Sequence, residues 1–190
     1  MLELMLRDST RSERTMAFMP SPFPAKSTGS KSLRSAPPRS MATSLNPSMS
    51  FANVYQAAPL QRIGLVKAGV VASMIDDIAK ALSTTSSFVI TILGLKRSTV
   101  ARKKADPAAS LSTEDSERLV GLARLVGQVE VMVRESGDST GFNAGKWLAH
   151  WLDQPLGALG GEKPSAYMDT SEGQSLVSSL LLQIQHGTYA

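Results

Sequence analysis

A chain of 190 residues with 42% hydrophobic side chains is long enough for one packed domain or two small ones. It has no cysteine, which excludes disulfides and thiolate metal sites, and no apolar run near the ~18 residues that a membrane span needs. The net charge of +4 is unevenly held: residues 1–50 carry seven Lys/Arg against three Asp/Glu, whereas the thirteen basic and thirteen acidic side chains of residues 51–190 balance.

Residues 1–57 open with a Ser-, Pro-, Thr- and Arg-rich stretch that has too little apolar surface to offset its chain entropy, so a disordered basic extension is expected there. Its acid-poor, Arg/Ser-rich composition also fits an organelle transit peptide. The alternative is a dispensable extension ahead of a later start, for which Met16, Met19, Met41 and Met49 are candidates. From Ala58 onward helices are expected. Pro59 opens one that runs to about Lys67 and stops at Gly69. Ile75, Ile78, Ala79 and Leu82 then recur at helical spacing, and Ser86 is placed to cap a short helix through Phe88, Ile90 and Leu93.

After Gly94 comes the most unusual segment: Lys96, Arg97, Arg102, Lys103 and Lys104 fall within nine residues with no acid among them. Such a concentration of like charge marks a surface that meets an anion. An apolar helix, a glycine turn and a basic second helix follow one another here, the order of a helix-turn-helix. With Leu95 and Val100 turned inward, Lys96, Arg97, Ser98, Thr99, Arg102, Lys103 and Lys104 supply phosphate binders and base-edge readers. A second placement, with 74–82 as first helix and 86–94 as reader, gives an uncharged apolar reader. A solvated basic helix end is the plain alternative to both.

Asp106-Pro107 closes this unit. Ser112 with Asp115 then resembles a capping box, ahead of a long helix striped by Leu119, Leu122, Val126, Val129 and Val133. Two heptads are short for a coiled coil, so the stripe reads as a core face. Residues 135–142 form a linker. Ala144, Trp147, Leu148 and Trp151 share one face of the next helix, residues 156–164 form a turn-rich connector, and Asp169 or Thr170 caps a last helix with Val177, Leu180, Leu181 and Ile184 on one side and Gly187 at its end. No strand pattern is present, and the class is all-α.

Catalysis has little support. His150 and His186 are the two available bases for a Ser or Thr nucleophile, and His186 next to Gly187 fits a helix C-terminus instead. Asp76 and Asp77 are adjacent and point in different directions on a helix, which makes a shared metal awkward. No phosphate-loop, dinucleotide or calcium-loop spacing occurs. The expected protein is not an enzyme and uses no cofactor or metal.

Three stretches, 93–104, 111–126 and 144–190, together resemble the Xre/MbcA/ParS antitoxins. The most specific positions are Trp147-Leu148, Pro155, Ala158 to Gly161, Pro164, Thr170, Glu172-Gly173, His186-Gly187 and Tyr189. The resemblance implies a Cro-like DNA-binding domain in a 58–138 region that also dimerises, and a small helical toxin-binding domain over 139–190. It further implies a bacterial, cytoplasmic antitoxin that blocks the active site of a NAD-consuming RES-domain toxin and represses its own operon. Operator DNA and that toxin are then the partners, with a homodimer and a larger toxin complex. Trp147, Gly160, Gly161, His186, Gly187, Tyr189 and Ala190 are the expected toxin-binding residues, the last of them as a projecting terminus, unless Tyr189 packs back on Trp147 or Trp151. Gly121, where an arginine is common, and Ala101-Arg102-Lys103 depart from the family pattern. The rival reading is a stand-alone DNA-binding regulator whose C-terminal domain only dimerises.

Overall fold

The computed structural model describes residues 50–106, 109–137 and 141–185. Eight α-helices follow one another among them: α1 Phe51–Gln56, α2 Pro59–Ala68, α3 Met74–Ala81, α4 Ser86–Ile92, α5 Arg97–Lys104, α6 Thr113–Glu135, α7 Ala144–Leu152 and α8 Ser171–Gln185. Two 3-10 turns, Gly157–Leu159 and Pro164–Tyr167, link α7 to α8. Extended pairing among the described residues amounts to one isolated bridge between Val71 and Ser110. The all-α class read from the sequence is what the chain adopts.

The organising element is α6. The Ser112 hydroxyl accepts from the Asp115 N–H at 3.1 Å, and Glu114 and Asp115 lie in the positive first turn. The expected stripe is buried at Leu119, Leu122, Val126 and Val129, with Val133 at its half-buried end. Burial extends well beyond it, to Val120, Ala123, Leu125, Gly127, Val131 and Met132. Helices α1, α2, α7 and α8 all pack on α6, and one apolar cluster runs from Val54 to Leu181. The 58–138 and 139–190 regions thus share a core.

Close approach is achieved with glycine. A Cβ on Gly127 would lie 1.9 Å from the Phe51 carbonyl oxygen, and one on Gly145 would lie 2.1 Å from that of Ala81. The first lets α1 rest on α6, and the second lets α7 meet the end of α3. Most polar groups trapped at these seams are matched, the buried Nε of Arg124 being the exception among the described residues. The Val70 N–H donates to Ser116 Oγ at 3.0 Å. Gln128, fully buried, donates to the Ser178 carbonyl at 3.0 Å and accepts from the Ser178 hydroxyl at 2.7 Å. Leaving such a group without a partner would cost about 1–3 kcal/mol.

Two expectations need correction. Thr85, not Ser86, caps α4, accepting from the Phe88 N–H at 3.2 Å; Ser86 is drawn instead to Asp76. The boundary at 57 is also too late. Ser50 caps α1, Ala52 and Val54 are buried, and the Ala52 N–H donates to Glu130 at 3.0 Å. Six residues are too few to show a periodic stripe, so α1 is apparent only through the partner that covers it. The remaining extension, residues 1–49, lies outside the described residues, as do His186 and Gly187.

A chain beginning at Met49 keeps α1 and is expected to melt with the full-length protein. One beginning at Ala58 loses the burial of Ala52 and Val54 and is expected to be less stable by about 2–4 kcal/mol in denaturant titration.

Candidate functional site

The basic segment is held out by a tightly built turn. At the end of α4, Gly94 has φ +61°, its N–H donates to the Thr91 carbonyl at 3.1 Å, and the Leu95 N–H donates to that of Ile90 at 2.9 Å. This is a Schellman cap, which needs a left-handed residue where only glycine fits without strain. Val89 and Leu93 before the turn and Leu95 and Val100 after it are buried. They anchor α5 by one side and leave its other side in water.

Lys96, Arg97, Ser98 and Arg102 are exposed, whereas Thr99, Lys103 and Lys104 are half-buried. The fully outward face of α5 is therefore Arg97, Ser98, Ala101 and Arg102. Arg97 reaches back to the Thr91 hydroxyl at 3.4 Å. Lys104 turns the other way and meets Asp76 at 2.6 Å. The α5 N-terminus has no side-chain cap and no acid in its first turn, so its free N–H groups favour an approaching anion. The second placement, with α4 as reader, fits less well: Val89 is buried, Phe88, Ile90 and Ile92 are half-buried, and the helix bears no charge.

Arg118 was not singled out from the sequence. From α6 it donates to the Leu93 and Gly94 carbonyls at 3.4 and 3.5 Å, and Glu114, one turn back, holds it in place. Its own carbonyl accepts from Gln174 of α8 at 3.0 Å, and the same buried amide donates to the Met168 carbonyl at 2.9 Å. The i, i+4 spacing of Glu114 and Arg118 is legible in the sequence; the long-range bonds are not. Gly121 belongs to this seam, since a Cβ there would lie 1.6 Å from Gln174 Oε1. A larger side chain at Gly121 requires Gln174 to move, so the departure from the common arginine is a packing matter.

In the other half, Asn143 caps α7 by accepting from the Lys146 N–H at 2.8 Å. Trp147, half-buried, stacks on Trp151 with centroids 6.1 Å apart and planes within 10°, and Phe142 leans on it at 6.3 Å. Gly160 and Gly161 are exposed, at φ +66° and +90°, where the chain folds back so that the Leu156 N–H reaches the Glu162 carbonyl. Thr170 caps α8 through the Gly173 N–H at 3.0 Å. His186, Gly187, Tyr189 and Ala190 lie outside the described residues. His150 is exposed on α7. Among the described residues there is no cluster of three or more potential metal ligands, and no helix long and apolar enough to cross a membrane.

Comparison with known proteins matches both halves. Residues 61–124 fit the antitoxin Xre-like helix-turn-helix domain, and residues 142–187 fit the antitoxin Xre/MbcA/ParS C-terminal toxin-binding domain. A curated relative from Sphingobium sp. (strain YBL2), named "Prs ADP-ribosylating antitoxin", is 49% identical over 144 residues, covering 76% of this chain and 90% of its own. The chain belongs to the Xre/MbcA/ParS antitoxin family. The helix-turn-helix is accordingly its DNA-binding part, and α7 to α8 form its toxin-binding part, with α6 packed against both.

Gly94→Ala puts a side chain at positive φ with its Cβ 3.3 Å from that of Asp169. It is expected to lower stability by about 1–2 kcal/mol and to lower the melting temperature measurably.

Proposed function

We propose that this antitoxin neutralises a NAD-consuming RES-domain toxin by binding over its active site, and represses its own operon through α4 and α5. The reading is supported by one observation above others: an exposed basic helix after a glycine turn, anchored by Val100, and a toxin-binding fold share one apolar core. The Sphingobium relative's name couples ADP-ribosylation with an antitoxin. ADP-ribosyl transfer consumes NAD, so a NAD-consuming toxin is the chemistry consistent with that name. The antitoxin itself contributes no catalytic group. It acts in the bacterial cytoplasm, where operator and toxin are both found, as a homodimer that assembles into a larger complex with the toxin.

In this reading Arg97, Ser98 and Arg102 face the operator directly, with Lys96, Thr99 and Lys103 at the edges of the contact. Arginine at an exposed helix face bonds phosphate or a guanine edge in two-pronged fashion, and serine serves either. On the other side, Trp147 and the Gly160-Gly161 fold support the toxin contact, and His186, Gly187, Tyr189 and Ala190 form its inhibitory end. Blocking an active site requires only that this element occupy the substrate entrance, and an aromatic side chain such as Tyr189 is a suitable anchor.

Replacing Arg97, Arg102 and Lys103 together by Ala is expected to weaken binding to the promoter duplex and flatten its salt dependence by about one unit of slope per lost phosphate contact. An unchanged gel shift across the salt series would move DNA binding elsewhere.

Deleting Thr188, Tyr189 and Ala190 removes none of the buried α8 residues Val177, Leu180 and Leu181, so melting temperature and promoter affinity should hold. Toxin binding should weaken by about 2 kcal/mol or more, measured by pull-down and by growth of cells making both proteins. Full rescue by the shortened chain would shift neutralisation to the surface around Trp147 and Gly160.

A further inference from the structure

The adjacent acids Asp76 and Asp77, which the DNA-binding and toxin-binding readings leave unused, have different fates. Asp77 is exposed on α3. Asp76 reaches across the helix-turn-helix, where one carboxylate oxygen, Oδ1, accepts from Lys104 Nζ at 2.6 Å and from the Ser86 hydroxyl at 2.5 Å. Ser86 is the first residue of α4 and Lys104 the last of α5. A single side chain of α3 is therefore bonded to the beginning of one helix of the motif and to the end of the other.

The chemistry of this junction bears on the charge offered to DNA. Of the five cations between 96 and 104, Lys104 is paired with the Asp76 carboxylate. Its carboxylate partner is held below the ordinary carboxylate range, first by the Lys104 hydrogen bond and then by Ser86, so the carboxylate stays ionised at neutral pH. Both side chains retain some exposure, 29% for Lys104 and 41% for Asp76, and a pair so open to water adds little to stability. Its effect is on direction and charge. Lys104 lies on α5 between buried Val100, four residues earlier, and Arg97, seven residues earlier, and its ammonium is directed to Asp76.

We propose that Asp76 is a positioning residue for operator binding: it ties the end of α5 to the start of α4 and withholds Lys104 from the DNA backbone. The proposal rests on the operator reading above and refines it, because the reader helix then offers Lys96, Arg97, Arg102 and Lys103 to the operator without Lys104. Asn at position 76 keeps the size and the Ser86 bond but not the charge, and so releases Lys104 to serve as a fifth.

Salt titrations of the full chain on a duplex carrying its own promoter test this, beside Lys104→Met, Asp76→Asn and the double variant. Lys104→Met should leave the salt slope unchanged. Asp76→Asn should steepen it by about one unit, an extra loss of affinity of about three- to fourfold between about 50 and 200 mM salt. The double variant should return to the wild-type slope. A slope flattened by about one unit in Lys104→Met would make Lys104 a phosphate ligand and overturn the proposal. So would a loss in Asp76→Asn that is equal at every salt concentration, which is what a purely structural role gives. Melting curves check that each variant folds; should Asp76→Asn fail, the Lys104→Met slope decides. An arm without DNA follows amine-reactive labelling by mass spectrometry. Lys104 should react more slowly than Lys96 in the wild type and at a similar rate in Asp76→Asn. If the wild type binds no promoter duplex, the operator reading fails on its own, and equal labelling of Lys96 and Lys104 in the wild type overturns the pairing.

Discussion

Helix α6 is 23 residues long, about 35 Å at 1.5 Å per residue, and most of its central turns are out of contact with water. A helix in that position must be apolar on several faces, must offer small residues where other backbones cross it, and must supply a partner for each polar group it buries. Residues 116–132 meet most of these demands, the exception being the buried Nε of Arg124, which has no hydrogen-bond partner among the described residues. Leucine and valine fill the spaces between helices, Gly127 accommodates the Phe51 carbonyl, and Ser116 and Gln128 take the hydrogen bonds of Val70 and Ser178. The DNA-binding and toxin-binding parts are packed on this helix and cannot be assigned separate cores.

That shared support explains why the helix-turn-helix turn is held so firmly. A Schellman cap satisfies the last carbonyls of α4, and Arg118 adds donors from α6 to the Leu93 and Gly94 carbonyls. Arg118 is connected in turn to α8 through Gln174, whose buried amide bridges Arg118 and Met168. Leaving that amide unmatched would cost more than a surface hydrogen bond contributes, so the contact fixes a single register between α6 and α8. The same packing accounts for Gly121, whose position is filled by Gln174.

The basic helix shows how burial converts a cluster of charge into a face. Five cations in nine residues repel one another, by roughly 1 kcal/mol per contact pair in water and less in salt. Folding eases this by dispersing them around α5 and by giving Lys104 an acidic neighbour from α3. What stays directed at solvent is narrower than the run of charge in the sequence, and it is led by two arginines, the side chains best shaped for phosphate and guanine.

The sequence by itself determined the helices whose apolar residues recur at 3.6-residue spacing, and their ends wherever a local signal exists. Gly69 and Gly94 as stops, Ser112 and Thr170 as caps, and the inward Leu95 and Val100 were all legible, because each depends on neighbours within about one turn. The family pattern over 142–187 was legible for the same reason, as residue types at fixed spacing. Only the tertiary structure decided matters of long-range contact. It covered α1, which is too short to announce itself, placed Thr85 rather than Ser86 at the start of α4, paired Lys104 with Asp76, and brought Arg118 to the turn with Gln174 behind it. Periodicity records which face of a helix is apolar. It does not record which helix will cover that face, or which distant polar group will be buried against it, because those depend on packing among segments as many as 78 residues apart, the separation of Ala52 and Glu130.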